Sequence, residues 1–113
     1  MAIDEDLNNR LRDALEGRGG LSEKKMMGGM CFLLNGHMVC GADRTKDGER
    51  RFMFRVGKDN HGTAETLPGA TPMVQGGRVM SGLFFVAEDD ATDDILRDWL
   101  DLAVANAMTL KPK

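Results

Sequence analysis

Apolar residues recur at Ile3, Leu7, Leu11, Ala14 and Leu15, three or four positions apart. That spacing predicts an amphipathic helix. Gly17, Gly19 and Gly20 follow and end it, because glycine readily takes a left-handed backbone past a helix terminus. From about Ser22 to Ala87 the pattern changes to short apolar runs separated by turn residues. Met30–Leu34 and His37–Gly41 flank Asn35-Gly36, the strongest short hairpin signal, since a type I′ turn needs positive φ at both central positions. Arg50–Val56 alternates, with Phe52, Phe54 and Val56 on one face and Met53 and Arg55 on the other. The charged stretch Asp43–Arg51 links it to the strand before. A short helix is expected within Lys58–Leu67, stopped by Pro68-Gly69. Thr71–Gln75 and Val79–Val86 form a second hairpin about Gly76-Gly77, and Gly82 marks a bulge or a close approach. Thr92, Asp93 and Asp94 then open a long helix whose stripe is Ile95, Leu96, Trp99, Leu100, Ala103 and Ala107; Lys111-Pro112 ends it. The order is helix, three or four strands, short helix, two strands, long helix. It predicts an antiparallel α+β domain with helices packed on a sheet.

With 113 residues, one domain is expected. Fifteen basic against 18 acidic residues leave a net charge of −3, which argues against a dedicated nucleic-acid binder but leaves room for a local basic patch. No apolar run reaches the ~20 residues that cross a bilayer, and the polar, acidic Met1–Asp6 is no secretory signal, so no membrane association is expected. Two cysteines make no disulfide scaffold, and a reducing cytoplasm is the expected compartment.

Lys25-Met26-Met27-Gly28-Gly29, followed by Phe32 and Asn35-Gly36, resembles the opening of the TfoX/Sxy N-terminal domain. Arg55-Val56-Gly57, Pro68-Gly69-Ala70, Pro72-Met73, Gly77-Arg78 with Met80 and Gly82, and then Trp99 and Ala103, fit the same pattern in the same order. The resemblance implies an α-β(3)-α-β(2)-α fold similar to type III secretion chaperones. It also implies a link to bacterial competence, whose founding regulators act as transcriptional co-activators beside the cyclic-AMP receptor protein. Those regulators carry a second, C-terminal domain; residues 1–113 are expected to be a single N-terminal-type domain without it. The family supplies no catalytic residues to carry over.

The residues themselves offer few candidates for chemistry. In a regular two-residue hairpin, Leu34 faces His37, Leu33 faces Met38, Phe32 faces Val39 and Cys31 faces Cys40. The last would be a non-hydrogen-bonded pair with Cα atoms about 4.5 Å apart, close enough for a disulfide. This makes Cys31 and Cys40 candidates for an oxidisable dithiol, against the simpler expectation of two buried thiols acting as small apolar side chains. No cation is expected on their face to lower a thiol pKa. His37 points away from both and His61 lies in another segment, so no metal site or other cofactor is expected. There is no Gly-x-Ser-x-Gly elbow and no P-loop. The glycine pairs Gly28-Gly29 and Gly76-Gly77 belong to turns.

Two features point to binding. Lys24, Lys25, Arg50, Arg51, Arg55, Lys58 and Arg78 could gather on one sheet face, against phosphates or an acidic protein surface. Seven of the nine methionines, Met26, Met27, Met30, Met38, Met53, Met73 and Met80, lie in the sheet region, and methionine suits adaptable binding surfaces. The first hairpin carries apolar residues on both faces, Cys31, Leu33, Met38 and Cys40 against Met30, Phe32, Leu34 and Val39. Helices cover one face, so the second implies a homodimer or a partner. The sequence therefore points to a non-enzymatic protein-interaction module, a regulatory adaptor on the transcription machinery by resemblance. Lys25, Met26, Met53, Arg55 and Arg78 are the expected contact residues. The alternative is a redox-responsive protein using Cys31 and Cys40, and DNA binding through the basic residues stays open.

Overall fold

The structure, a computed structural model, describes residues 4–26 and 29–111, and of Met26 the backbone alone. Met1, Ile3, Met27, Gly28 and Pro112, used above, lie outside the described residues. Helix α1 spans Glu5–Leu15. Four strands follow: β1 (Leu21–Met26), β2 (Gly29–Leu34), β3 (His37–Arg44) and β4 (Arg50–Arg55). A 3-10 turn at Lys58–Asn60 leads into the one-turn helix α2 (His61–Ala64). Strands β5 (Thr71–Gln75) and β6 (Arg78–Ala87) come next, and helix α3 (Asp93–Met108) closes the chain. The strands form one antiparallel sheet in the order β1-β2-β3-β4-β6-β5. The α+β architecture is the one expected, with four strands rather than the family's three before the short helix.

Helices α1 and α3 cover one face of the sheet. Leu7, Leu11 and Leu15 of α1 and Leu96, Trp99, Leu100, Ala103 and Ala107 of α3 pack on Phe32, Phe52, Phe54, Phe84 and Val86. Trp99 stacks on Phe54 with centroids 5.4 Å apart, and Phe84 lies at 5.3 Å. Its Nε1–H donates to the Pro68 carbonyl at 3.1 Å, satisfying the one polar group that burial would strand. Burying an indole is worth on the order of 4–6 kcal/mol at about 25 cal/mol per Å².

The helices start where their caps dictate. Thr92 accepts from the Ile95 N–H, and the buried Asp4 accepts from the Leu7 N–H. Asp4 also takes Arg50 Nε at 2.8 Å and Arg44 Nη2 at 3.3 Å, so one carboxylate ties α1 to β3 and β4. The hydrogen bond from Arg50 chiefly, against the opposing cost of burial, holds the Asp4 carboxyl below its ordinary range.

Two backbone devices set the sheet. Asn35 and Gly36 have φ of 53° and 86°, the predicted tight turn. Gly82, at φ 80°, lies so close to Gly57 that a Cβ there would overlap the Gly57 backbone. Its carbonyl accepts from Val56 N at 2.8 Å and Gly57 N at 3.3 Å, and its N–H donates to His61 Nδ1 at 2.9 Å. The expected close approach is therefore the neck at which the segment 56–82 returns to the sheet.

Candidate functional site: the outer face of the sheet

The face opposite the helices carries its own apolar cluster. Cys31, Met53 and Met73 are buried there, with Met38, Met80, Leu83 and Phe85 packed partly buried around them. Strand pairing explains the set. Lys24 faces Cys31, Cys31 faces Gly41, Gly41 faces Met53, Met53 faces Phe85, and Phe85 faces Thr71. One ladder row thus crosses all six strands. Gly41 is a gap in that row, because it carries no side chain between Cys31 and Met53. Nothing larger fits β3 at this point: a Cβ on Gly41 would lie 2.9 Å from the Met30 carbonyl oxygen and 3.2 Å from Cys31 Sγ.

The two thiols are not a cross-strand pair. The β2–β3 register shifts by one residue after Leu33↔Met38, so that Phe32 faces Cys40 and Cys31 faces Gly41. The extra residue is Val39, and both Val39 and Cys40 point into the core beneath the helices. Cys31 belongs to the outer cluster. The sheet itself separates the thiols, which corrects the dithiol expectation for Cys31 and Cys40. Both are free. Burial raises both thiol pKa values, and the Asp43 carboxylate adds to the effect at Cys31. Lys24 stands opposite Cys31, contrary to the expected absence of a neighbouring cation, yet burial still dominates.

The basic residues divide. Arg50 turns toward the helix side, onto Asp4 and Glu88. Arg51 lies on the outer face, donating from Nε to Asp43 Oδ1 at 2.8 Å, with its guanidinium 3.8 Å above the Phe85 ring. That ion pair is self-compensated. Arg55, two residues beyond Met53 and beside Leu83, is half-buried on the same face and has no carboxylate within ion-pair distance among the described residues. Lys24 is exposed, equally without such a partner. Lys25 pairs with Met30, which packs toward the core side, so Lys25 belongs to the other face. Arg78 sits at the tip of the β5–β6 hairpin, opposite Gln75. The side chain of Met26 lies outside the described residues. Of the five expected contact residues, the fold therefore brings Met53 and Arg55 together and sets Lys25 and Arg78 apart. Phe85, Met73 and Lys24 join them. Phe85 was legible from alternation with Phe84, which faces the core.

The two histidines are committed elsewhere. His37 Nε2 shares a hydrogen bond with the Lys111 carbonyl at 2.5 Å. His61 accepts the Gly82 N–H through Nδ1, which leaves its ring proton on Nε2, 3.8 Å from Glu65.

The family model of the TfoX N-terminal domain matches residues 13–107. The chain belongs to the TfoX N-terminal domain family. No curated protein and no solved structure matches it. In this TfoX N-terminal domain the quoted motif residues serve both faces. Gly57 and Gly82 form the neck and Trp99 the core, while Met73 lies in the outer cluster and Met80 and Arg55 border it. Among the described residues no helix is long and apolar enough to cross a membrane.

Proposed function

We propose that this TfoX N-terminal domain is a non-enzymatic protein-interaction module that docks a regulatory partner on the outer face of its sheet. The observation that carries this reading is the second, methionine-rich cluster on the face the helices leave bare. Methionine side chains are unbranched and polarisable, so such a surface can repack against a partner. Arg55 beside the cluster supplies orientation through charge rather than bulk affinity. Family membership supports a regulatory role of the competence type, with a component of the transcription machinery as the partner.

Site-specific photo-crosslinking in the native cells tests the reading. A crosslinker at Met80 should trap one defined protein, and Met53→Glu should abolish that product. The same crosslinker at Asp98, on the exposed side of α3, should not trap it. Equal trapping from both positions, or a product insensitive to Met53→Glu, overturns it. DNA is the competing ligand: a duplex titration should show no binding at low salt, because Arg50 and Arg51 are already paired with carboxylates.

A further inference from the structure

The outer face has properties that select among occupants, and the inference drawn from them rests on the docking reading above. The cluster runs from β2 to β5, four strand steps or about 19 Å, and about 10–13 Å along the strands, a footprint on the order of 250 Å². Each partner in a stable interface between globular proteins contributes about 800 Å². The apolar patch is thus too small to hold a second copy of this chain. It matches one helix, which is about 10 Å wide with its side chains.

Charge narrows the choice further. Lys24, on β1, borders the patch and Arg55, on β4, lies within it beside Leu83; among the described residues the patch's carboxylate, Asp43, is occupied by Arg51. The opposite layer is acidic: α3 carries four aspartates and a single arginine. An acidic ligand is therefore repelled from the helix side and drawn to the sheet. Lys24 on β1 and Arg55 on β4 are three strand steps apart, with a further offset of two residues along the strand from the shared ladder row. That makes about 16 Å between their Cα atoms, or roughly eleven residues of a helix at about 1.5 Å each. Between them, Cys31, Gly41 and Met53 are buried, and Cys31 Sγ already stands beside the Gly41 position.

We propose that the occupant is an acidic amphipathic helix of about three turns. It lays its apolar stripe on Met38 and Met53 and presents carboxylates about eleven residues apart to Lys24 and Arg55.

The test uses the full chain with 13C-labelled methionine methyls and two synthetic 18-residue helical peptides of identical leucine stripe. One carries glutamates eleven positions apart; the other carries lysines there. The glutamate peptide should shift Met38 and Met53 most and leave the exposed Met108 unmoved. Exposed ion pairs are individually weak, so each lost pair should weaken binding about threefold, and Lys24→Glu with Arg55→Glu about tenfold. The same double variant should improve binding of the lysine peptide. Both substitutions lie outside the helix-covered core, and Trp99 fluorescence will show that the fold is kept. Equal binding of both peptides, or shifts centred on Met108, overturns the proposal. Concentration-dependent shifts of the same methyls without peptide identify a second copy as occupant and also overturn it. If neither peptide binds while the Met80 crosslink persists, the acidic helix falls and the docking face stands. If the crosslink fails too, both readings fall.

Discussion

Replacing Gly82 by alanine separates two costs that glycine avoids at the neck of the sheet. The first is conformational. At φ 80° an alanine sits in left-handed space at a cost of about 1–2 kcal/mol. The second is steric, because the new Cβ would overlap the Gly57 backbone, which cannot swing aside as a flexible side chain could. Relief requires β6 to move off residues 56–57. That strains the hydrogen bonds from Val56 N and Gly57 N to the Gly82 carbonyl and the one from Gly82 N to His61. At about 0.5–1.5 kcal/mol each, losing two of the three adds about 1–3 kcal/mol. The expected total is about 2–5 kcal/mol, a large fraction of the 5–15 kcal/mol that domains possess. Gly77 provides the control: its φ is 78°, yet a Cβ there meets nothing within 4 Å. Gly77→Ala should therefore cost about 1–2 kcal/mol. Unfolding entropy near 2.1 cal/mol/K per residue over 113 residues gives roughly 4 °C of Tm per kcal/mol. Calorimetry should find Gly82→Ala about 8–20 °C lower and Gly77→Ala about 4–8 °C lower. Equal losses at the two positions would refute the argument that the close approach carries energy.

The Asp4 carboxyl titrates below its ordinary value near 4 in the fold, so its contribution is complete above that value and is lost as pH falls through the lower folded one. The Tm gap between the native protein and Asp4→Asn should stay constant from pH 7 to 5 and narrow below pH 4; a gap unchanged at pH 3 would contradict this. For the thiols, mild peroxide should leave two free groups by titration after denaturation, since Cys31 and Cys40 lie on opposite faces. An intramolecular disulfide formed without unfolding would overturn the register.

Much of the architecture could be read from periodicity. The helical stripes of α1 and α3, the Asn35-Gly36 turn and the tight place at Gly82 follow from local rules that packing reinforces. The alternation of Arg50–Val56 placed Met53 and Arg55 on one face and Phe52 and Phe54 on the other, as the structure has them. Strand β1 was harder to read, because its Glu23, Lys24 and Lys25 have no apolar alternation; charges of this kind also protect an exposed sheet edge. The bulge at Val39 was hidden for a different reason. Val39, Cys40, Gly41 and Ala42 are all small or apolar, so no polar residue marks which face is out. A single inserted residue then reversed the side of Cys40 and removed the dithiol. The outer face was foreseeable as apolar, but its ladder row through Lys24 and Gly41 depended on that unseen register.

The pairing of β4 with β6 also has a temporal consequence. Strands β1 to β4 form a meander whose contacts are between chain neighbours, and β5–β6 is a local hairpin. Such pieces assemble in about 1–10 μs. Joining them means closing the segment 56–82, a non-local step that forfeits chain entropy before any β4–β6 contact forms. The transition state for folding should lie at that closure. Substitutions at the β4–β6 seam should slow folding, whereas those at the β1 edge should mainly speed unfolding.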